Sequence, residues 1–386
     1  MRYRCRDFLV TSDGMVFSVT EYLHPKDRVF GMLRFVRFPV STGFQFSVSS
    51  FRRLETEDRP RRGSPLGGEL KKLGTTEDSY EYLKKHHPEY LFQIDVDGTL
   101  LQAVPESKIV KVIKPEQFLR KLKPDDSFKK KILDLAGILS KKSGVPLKKF
   151  GVSGSVLVNA HGKDSDIDMV VYGLRNFSKV RACMPALVAS GVIQKLGTTQ
   201  WKKLYEKRLP HKELSFREFV RHAKRKNNVG FFNGTRFDLL CTRDWSEIFG
   251  KYGDVKFEKL GTTYTFNKGP PCGDTPNGGV ASNGGFAPRF TRGSSSLKKS
   301  TKVCIQAKVT DDFLAFDYPA RFKVKSASGV TEIVSYTHTY AGQARKGETV
   351  EAQGVLEKVI SKKGSRLRLL IGSTREAKGE YIKVLQ

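Results

Sequence analysis

Residues 1–114 carry their apolar positions in short alternating runs, VFSVTEYL and RVFGMLRFVRF among them, which is the spacing of half-buried strands. RRLETEDRPRRGSPLGGELKK is basic and rich in Pro and Gly, and predicts an exposed loop. SYEYLKKHHPEYL predicts a short helix stopped near Pro88, and LFQIDVDGTLLQAVP two strand-like halves about Asp97-Gly98. After Pro115 the period becomes helical. EQFLRKL leads to FKKKILDLAGILSKK, whose Phe128, Ile132, Leu135 and Leu139 fall at helical spacing between a cap at Asp125-Asp126-Ser127 and a stop at Gly144. LKKFGVSGS and residues 167–171 then predict strands, 177–190 a covering helix, and 235–242 a further strand. Residues 267–300, dense in Gly, Pro, Ser and Asn, read as a flexible linker or long loop. In 301–386 the runs KVCIQAKV, ARFKVKSA, TEIVSYTHTY, ETVEAQGVLEKVI, SRLRLLIGS and EYIKVL predict a small β-barrel.

The expected division is therefore an N-terminal β-rich domain (1–114), a mixed core (115–266), a linker (267–300) and a C-terminal barrel (301–386). A chain of 386 residues with 38% hydrophobic and 11% aromatic content is large enough for several packed cores. No apolar run is long enough to cross a bilayer, and MRYRCRDF lacks the apolar segment of a signal peptide. Five cysteines are scattered without a C-x-x-C pair, which predicts reduced thiols and a cytoplasmic setting. The net charge of +29 points to a polyanionic partner, nucleic acid before any other.

Candidate chemistry concentrates in 151–173, GVSGSVLVNAHGKDSDIDMVVYG. Asp166 and Asp168 are one residue apart at the start of an apolar strand, so both project to one face. Two carboxylates side by side repel each other, and a divalent cation relieves them.

This stretch resembles the nucleotidyltransferase superfamily of DNA polymerase β, poly(A) polymerases and CCA-adding enzymes, as an archaeal-type multidomain member: Gly154-Ser155, about ten residues, then Asp166-x-Asp168. The resemblance covers roughly residues 128–245. It implies an α+β fold with a polymerase β-like core, flanked by the β-rich domain and the C-terminal barrel, in which Gly347-Glu348-x-Val350, Gly354-Val355-Leu356-Glu357 and Leu367 to Ile371 separately resemble an OB-fold. It further implies two Mg²⁺ ions held by Asp166, Asp168 and a third acid, for which Asp238 in TRFDLLC is the candidate. These three are then the catalytic and metal-binding residues, and Gly154 and Ser155 hold the triphosphate of a nucleoside triphosphate. The implied reaction is attack of an acceptor hydroxyl on the α-phosphate with release of pyrophosphate. One departure lies in the loop: the superfamily's small antitoxin-like members carry Arg-Gly a few residues after Gly-Ser, where this chain has Val158-Asn159. His161 and Lys163 lie in the same loop, each either solvated or a phosphate contact.

Residues 195–226 hold eleven Lys or Arg against three acids, with Trp201, Tyr205 and Phe216 interleaved. The segment is either a solvated helical face or a contact surface for triphosphate or nucleic acid, with Arg208, Lys224, Arg225 and Lys226 the residues to test. In the barrel, Lys323, Lys325, Tyr336, Tyr340 and Arg345 are candidates for single-strand contacts.

The function expected is nucleotidyl transfer to a hydroxyl on nucleic acid, RNA favoured. The alternatives are a catalytically silent nucleic-acid-binding protein on the same core, or an enzyme that modifies a protein or small molecule. DVDGTL also matches the first motif of haloacid dehalogenase-like phosphatases, but strand-like sequence follows it where a loop and helix should, so a hairpin is the preferred reading.

Overall fold

The computed structural model describes residues 3–38, 69–93, 100–162, 164–249, 302–361, 364–374 and 376–385. Residues 95–99 of DVDGTL, Lys163 and the stretch 267–300 lie outside the described residues.

The N-terminal unit is an antiparallel sheet of seven strands: β1 (Phe8–Thr11), β2 (Met15–Val19), β3 (Arg28–Phe38), β4 (Glu69–Lys72), β5 (Leu91–Gln93), β6 (Leu100–Pro105) and β7 (Ile109–Ile113). The order is β5-β6-β3-β2-β1-β7, with β4 on β3. Helix α1 (Thr76–His86) starts at a capping box in which Thr75 and Asp78 satisfy each other's backbone N–H groups. β5 and β6 pair antiparallel, Leu91 opposite Gln102, which suits the hairpin reading of this segment.

The central unit comprises α2 (Pro115–Lys121), α3 (Ser127–Ser143), β8 (Phe150–Ser153), β9 (Ile167–Tyr172), α4 (Leu174–Ala189), α5 (Thr198–Arg208), α6 (Phe216–Lys224), β10 (Val229–Phe232), β11 (Thr235–Thr242) and α7 (Trp245–Phe249). The Asp126 side chain accepts from Lys129 N–H at 2.7 Å to start α3, and Gly144 ends it at φ 68°. The sheet runs β10-β11-β9-β8, with β11 and β9 parallel and the outer pairs antiparallel. Strand alternation divides its two faces. Ile167, Met169 and Val171 of β9, with Phe237, Leu239 and Cys241 of β11, share a core with Ile132, Leu135 and Leu139 of α3 and Phe177, Val180 and Leu187 of α4. The other face is left to Asp168, Val170, Tyr172, Asp238 and Leu240.

The C-terminal unit comprises β12 (Lys302–Asp311), β13 (Ala320–Ser326), β14 (Val330–Ser335), β15 (Thr349–Ser361), β16 (Gly364–Ile371) and β17 (Tyr381–Val384). β12-β13-β14-β16-β15 closes on itself through β12–β15 pairing, with β14 and β16 parallel, so five strands form a barrel and β17 extends β15. The expected β-barrel is thus present, within a mixed α/β chain.

The barrel shares its core with the central unit. Trp201, Leu204, Phe219 and Ala223 of α5 and α6 belong to one cluster with Val303, Phe322, Val350 and Leu369 of the barrel. Buried Asp317 of the barrel accepts from Tyr22 of the N-terminal unit at 2.6 Å and from Arg243 of the central unit at 2.6 Å. One carboxylate therefore ties all three units. Cys5, Cys183 and Cys241 are free, buried thiols, and Cys272 lies outside the described residues. Among the described residues no helix is long and apolar enough to cross a membrane.

Candidate active site

The parallel register of β9 and β11 places Asp168 opposite Asp238. Asp166, just before β9, falls on the same face by strand alternation. On the other side of β9, Ser153 is the partner of Asp168, and the chain turns immediately into Gly154. Gly154 has φ +78°, and a Cβ there would come within 2.5 Å of the Asp168 carboxylate. Glycine is therefore required both for the backbone conformation and for the closeness of the loop to the acid.

Two of the three carboxylates are engaged by cations. Arg236 donates through Nε to Asp166 Oδ1 at 2.9 Å, through a second nitrogen to Asp166 Oδ2, and through a third to Asp238 at 2.7 Å. Arg208 donates to the other oxygen of Asp238 at 2.8 Å. Lys207 reaches Asp166 at 3.2 Å from an exposed position. Burial acts to raise the Asp238 carboxyl, but Arg208 and Arg236 outweigh it and hold the group below its ordinary range. Asp168 is the opposite case: burial, then the charges of Asp238 and Asp166, push it up. It is partly open to solvent and, among the described residues, makes no ion pair within 4 Å. The three carboxylates are spread too widely to form a ready-made ligand set: among the described residues, the group whose ligand atoms all lie within 4.8 Å is Asp13, His87 and Glu89 of the N-terminal unit. There Lys108 already pairs with Asp13 at 3.3 Å.

The Gly-Ser loop is a 3₁₀ turn over Gly154–Val158, closed by Asn159 at φ 54°. That Asn takes the left-handed position without glycine, so the Val158-Asn159 departure has a structural role of its own. Leu157 and Val158 pack with Phe8, Val10, Val16 and Phe35 of the N-terminal unit. The Ser155 hydroxyl faces Ser165 at 3.5 Å, and Ser165 accepts from Gly162 N–H at 2.9 Å. His161 is buried, stacked on Phe128 and hydrogen-bonded to Asp126 at 3.0 Å, so it is neither a solvated loop residue nor turned toward the acids.

The chain is 33% identical over 391 aligned residues to the uncharacterized protein MJ1086 of Methanocaldococcus jannaschii, a match covering 100% of this chain and 99% of that protein. The chain belongs to the MJ1086 family. No family model matches it, and no solved structure does. The similarity to MJ1086 spans all three units and is not confined to the core.

Within this member of the MJ1086 family, the basic segment divides by task. Arg208 meets Asp238. Lys224 is exposed at the end of α6, and Arg225 turns away to pair with Glu348 of the barrel. Lys226 is buried and donates to Thr339 O at 2.6 Å, fixing a barrel turn beside the acids. Its burial, then the neighbouring Arg208, Arg225 and Arg181, drive its ammonium well below the ordinary lysine range. Trp201 is buried, and Tyr205 and Phe216 pack on the same core, so the interleaved aromatics serve to hold the barrel. On the barrel itself Lys323 and Lys325 are exposed, Tyr340 is fully buried, the Tyr336 hydroxyl donates to Glu21, and Arg345 donates to Arg225 O at 3.2 Å.

Three further residues at the site escaped the sequence reading. Arg236 was legible only as sharing a strand face with Asp238. Arg6 lies within electrostatic reach of Asp168, and His338 of Asp238. They come from opposite ends of the chain, and no local pattern marks either.

Proposed function

We propose that the protein is a Mg²⁺-dependent nucleotidyltransferase, DNA polymerase β-like in its core, that moves a nucleoside monophosphate from a nucleoside triphosphate to a hydroxyl on nucleic acid, with RNA the favoured acceptor. The observation that carries this reading is the facing pair Asp168 and Asp238 on parallel strands, with Asp166 on the same face and the Gly154 loop against Asp168. Among the described residues no cation contacts Asp168, and its neighbours Asp238 and Asp166 oppose its charge, which suits a site for a divalent ion with oxygen ligands.

Asp166, Asp168 and Asp238 would hold the Mg²⁺, which when bound supplies charge neutralisation at the entering and leaving oxygens. The backbone N–H groups around Gly154 and the Ser155 hydroxyl would receive the β- and γ-phosphates. Arg208 and Arg236 stand beside them and would bind polyphosphate oxygens once released from the carboxylates. Asp238 would face the acceptor hydroxyl and take up its proton. The barrel, read as an OB-like module, presents Lys323 and Lys325 for backbone phosphates of a single strand.

One observation favours a second reading, a nucleic-acid-binding protein without transfer: Arg236 and Arg208 already neutralise two of the three acids. The deciding experiment offers each α-labelled nucleoside triphosphate with Mg²⁺ to a mixed pool of RNA, DNA and protein. Label on RNA that is lost in Asp168→Ala supports the proposal. Label on protein moves the activity to protein modification. No label from any nucleotide, with RNA bound equally by both proteins, leaves the binding reading.

A further inference from the structure

Arg6 is an anomaly of the N-terminal unit. It is 6% exposed, and its backbone has φ +77°, a conformation that costs a non-glycine residue energy. Its guanidinium makes only long contacts, to Cys241 O at 3.3 Å and to His338 Nε2 at 3.4 Å, and lies over the Tyr318 ring at 5.0 Å. It forms no ion pair within 4 Å, although every other buried arginine among the described residues does. Asp168 is within electrostatic reach but not in contact, and a buried guanidinium with no directly bonded anion is a costly arrangement.

His338 faces it from the turn after β14. The residue reaches the surface while its ring stacks on Tyr318 at 5.1 Å, and the turn is fixed by Lys226 on Thr339 O and by the Thr339 hydroxyl on Arg208 O at 3.5 Å. The surrounding protein, then Arg6 and Arg208, hold the imidazole well below its ordinary range, against the opposing pull of Asp238.

We infer that Arg6 and His338 form a phosphate-oxyanion subsite beside the acids of the central sheet, contributed by the N-terminal unit and the barrel. Its connection with transfer chemistry rests on the function proposed above; binding of the oxyanion does not. The phosphate belongs either to the nucleotide or to the acceptor backbone. Guanidinium and imidazole offer fixed N–H donors to either.

The test uses the full chain carrying Arg6→Gly, Arg6→Lys or His338→Gln. Glycine suits the positive φ, so Arg6→Gly removes the guanidinium while relieving the backbone, and it is expected to melt no lower than wild type. Equilibrium titrations use ATP with Ca²⁺ and, separately, a single-stranded RNA oligonucleotide at constant salt. Arg6→Gly should weaken one of these ligands by about tenfold or more, with Arg6→Lys between it and wild type. Weaker ATP binding assigns the subsite to the nucleotide, and weaker RNA binding alone assigns it to the acceptor. Should a folded Arg6→Gly bind both as tightly as wild type, the subsite does not exist; an unchanged His338→Gln removes that residue from it. If label transfer fails but Arg6-dependent binding persists, the nucleotidyltransferase reading falls and the subsite stands.

Discussion

Arg236 and Asp238 lie two residues apart on one face of β11 and pair at 2.7 Å, while the same guanidinium binds Asp166 across the sheet. A cation of the protein's own thus stands between two carboxylates proposed to hold metal. Arg236→Ala leaves Asp238 with Arg208 alone and Asp166 with only the exposed Lys207. Breaking such a partly buried set costs about 3–5 kcal/mol. The variant should therefore melt well below wild type without divalent ions and regain more of its stability than wild type gains when Mg²⁺ is added. Thermal unfolding in EDTA and in Mg²⁺ checks this, and a variant indifferent to Mg²⁺ would count against metal at these acids.

Asp168 should show the converse. Its charge is opposed by burial and by Asp238 and Asp166, so Asp168→Asn removes repulsion as well as function. Nucleotidyl transfer is expected to fall about a thousandfold, a size usual for loss of one preorganised electrostatic group. The melting temperature should stay level or rise. A large drop in melting temperature would give Asp168 a structural role instead.

Trp201 tests the union of barrel and centre. It is 5% exposed, and its ring meets Phe219 edge-on at 6.2 Å. Trp201→Ala should cost about 3–5 kcal/mol. Proteolysis should then release or degrade the barrel together with α5 and α6. Loss of the barrel alone, with α5 and α6 still protected, would show that the shared cluster is not cooperative.

Acid sensitivity follows from His222. Its Nδ1 donates to Glu218 O at 2.7 Å and its Nε2 accepts from Val384 N–H at 3.1 Å, so the neutral ring joins α6 to β17. Burial, with smaller contributions from Arg221, Lys226 and Arg225, lowers its pKa to about 4. The unfolded chain therefore binds the proton at higher pH than the folded chain does. Stability is complete above about pH 6.5 and declines as pH falls toward 4, by about 3 kcal/mol for this group alone. Denaturant midpoints between pH 7 and 4 measure the slope, and His222→Gln should flatten it.

The strands, the helix over Phe128–Leu139, the barrel and the placement of Asp238 beside Asp168 were legible because each rests on local periodicity or on a motif with fixed spacing. The basic segment was harder to read. Trp201, Tyr205 and Phe216 repeat as a binding face would, and periodicity does not say what covers a face; here the barrel covers it. Arg225 and Lys226 likewise serve the barrel, bound to Glu348 and Thr339. Arg6 and His338 were invisible because proximity through the fold leaves no trace in neighbouring sequence.

Arg6 and His338 are 332 positions apart and face each other at 3.4 Å. During synthesis the carboxylates of β9 and β11 emerge long before the barrel does. A nascent chain or a product truncated before the barrel would carry the acids without the residues that the barrel adds to them, so whatever chemistry the site performs waits on synthesis of the barrel.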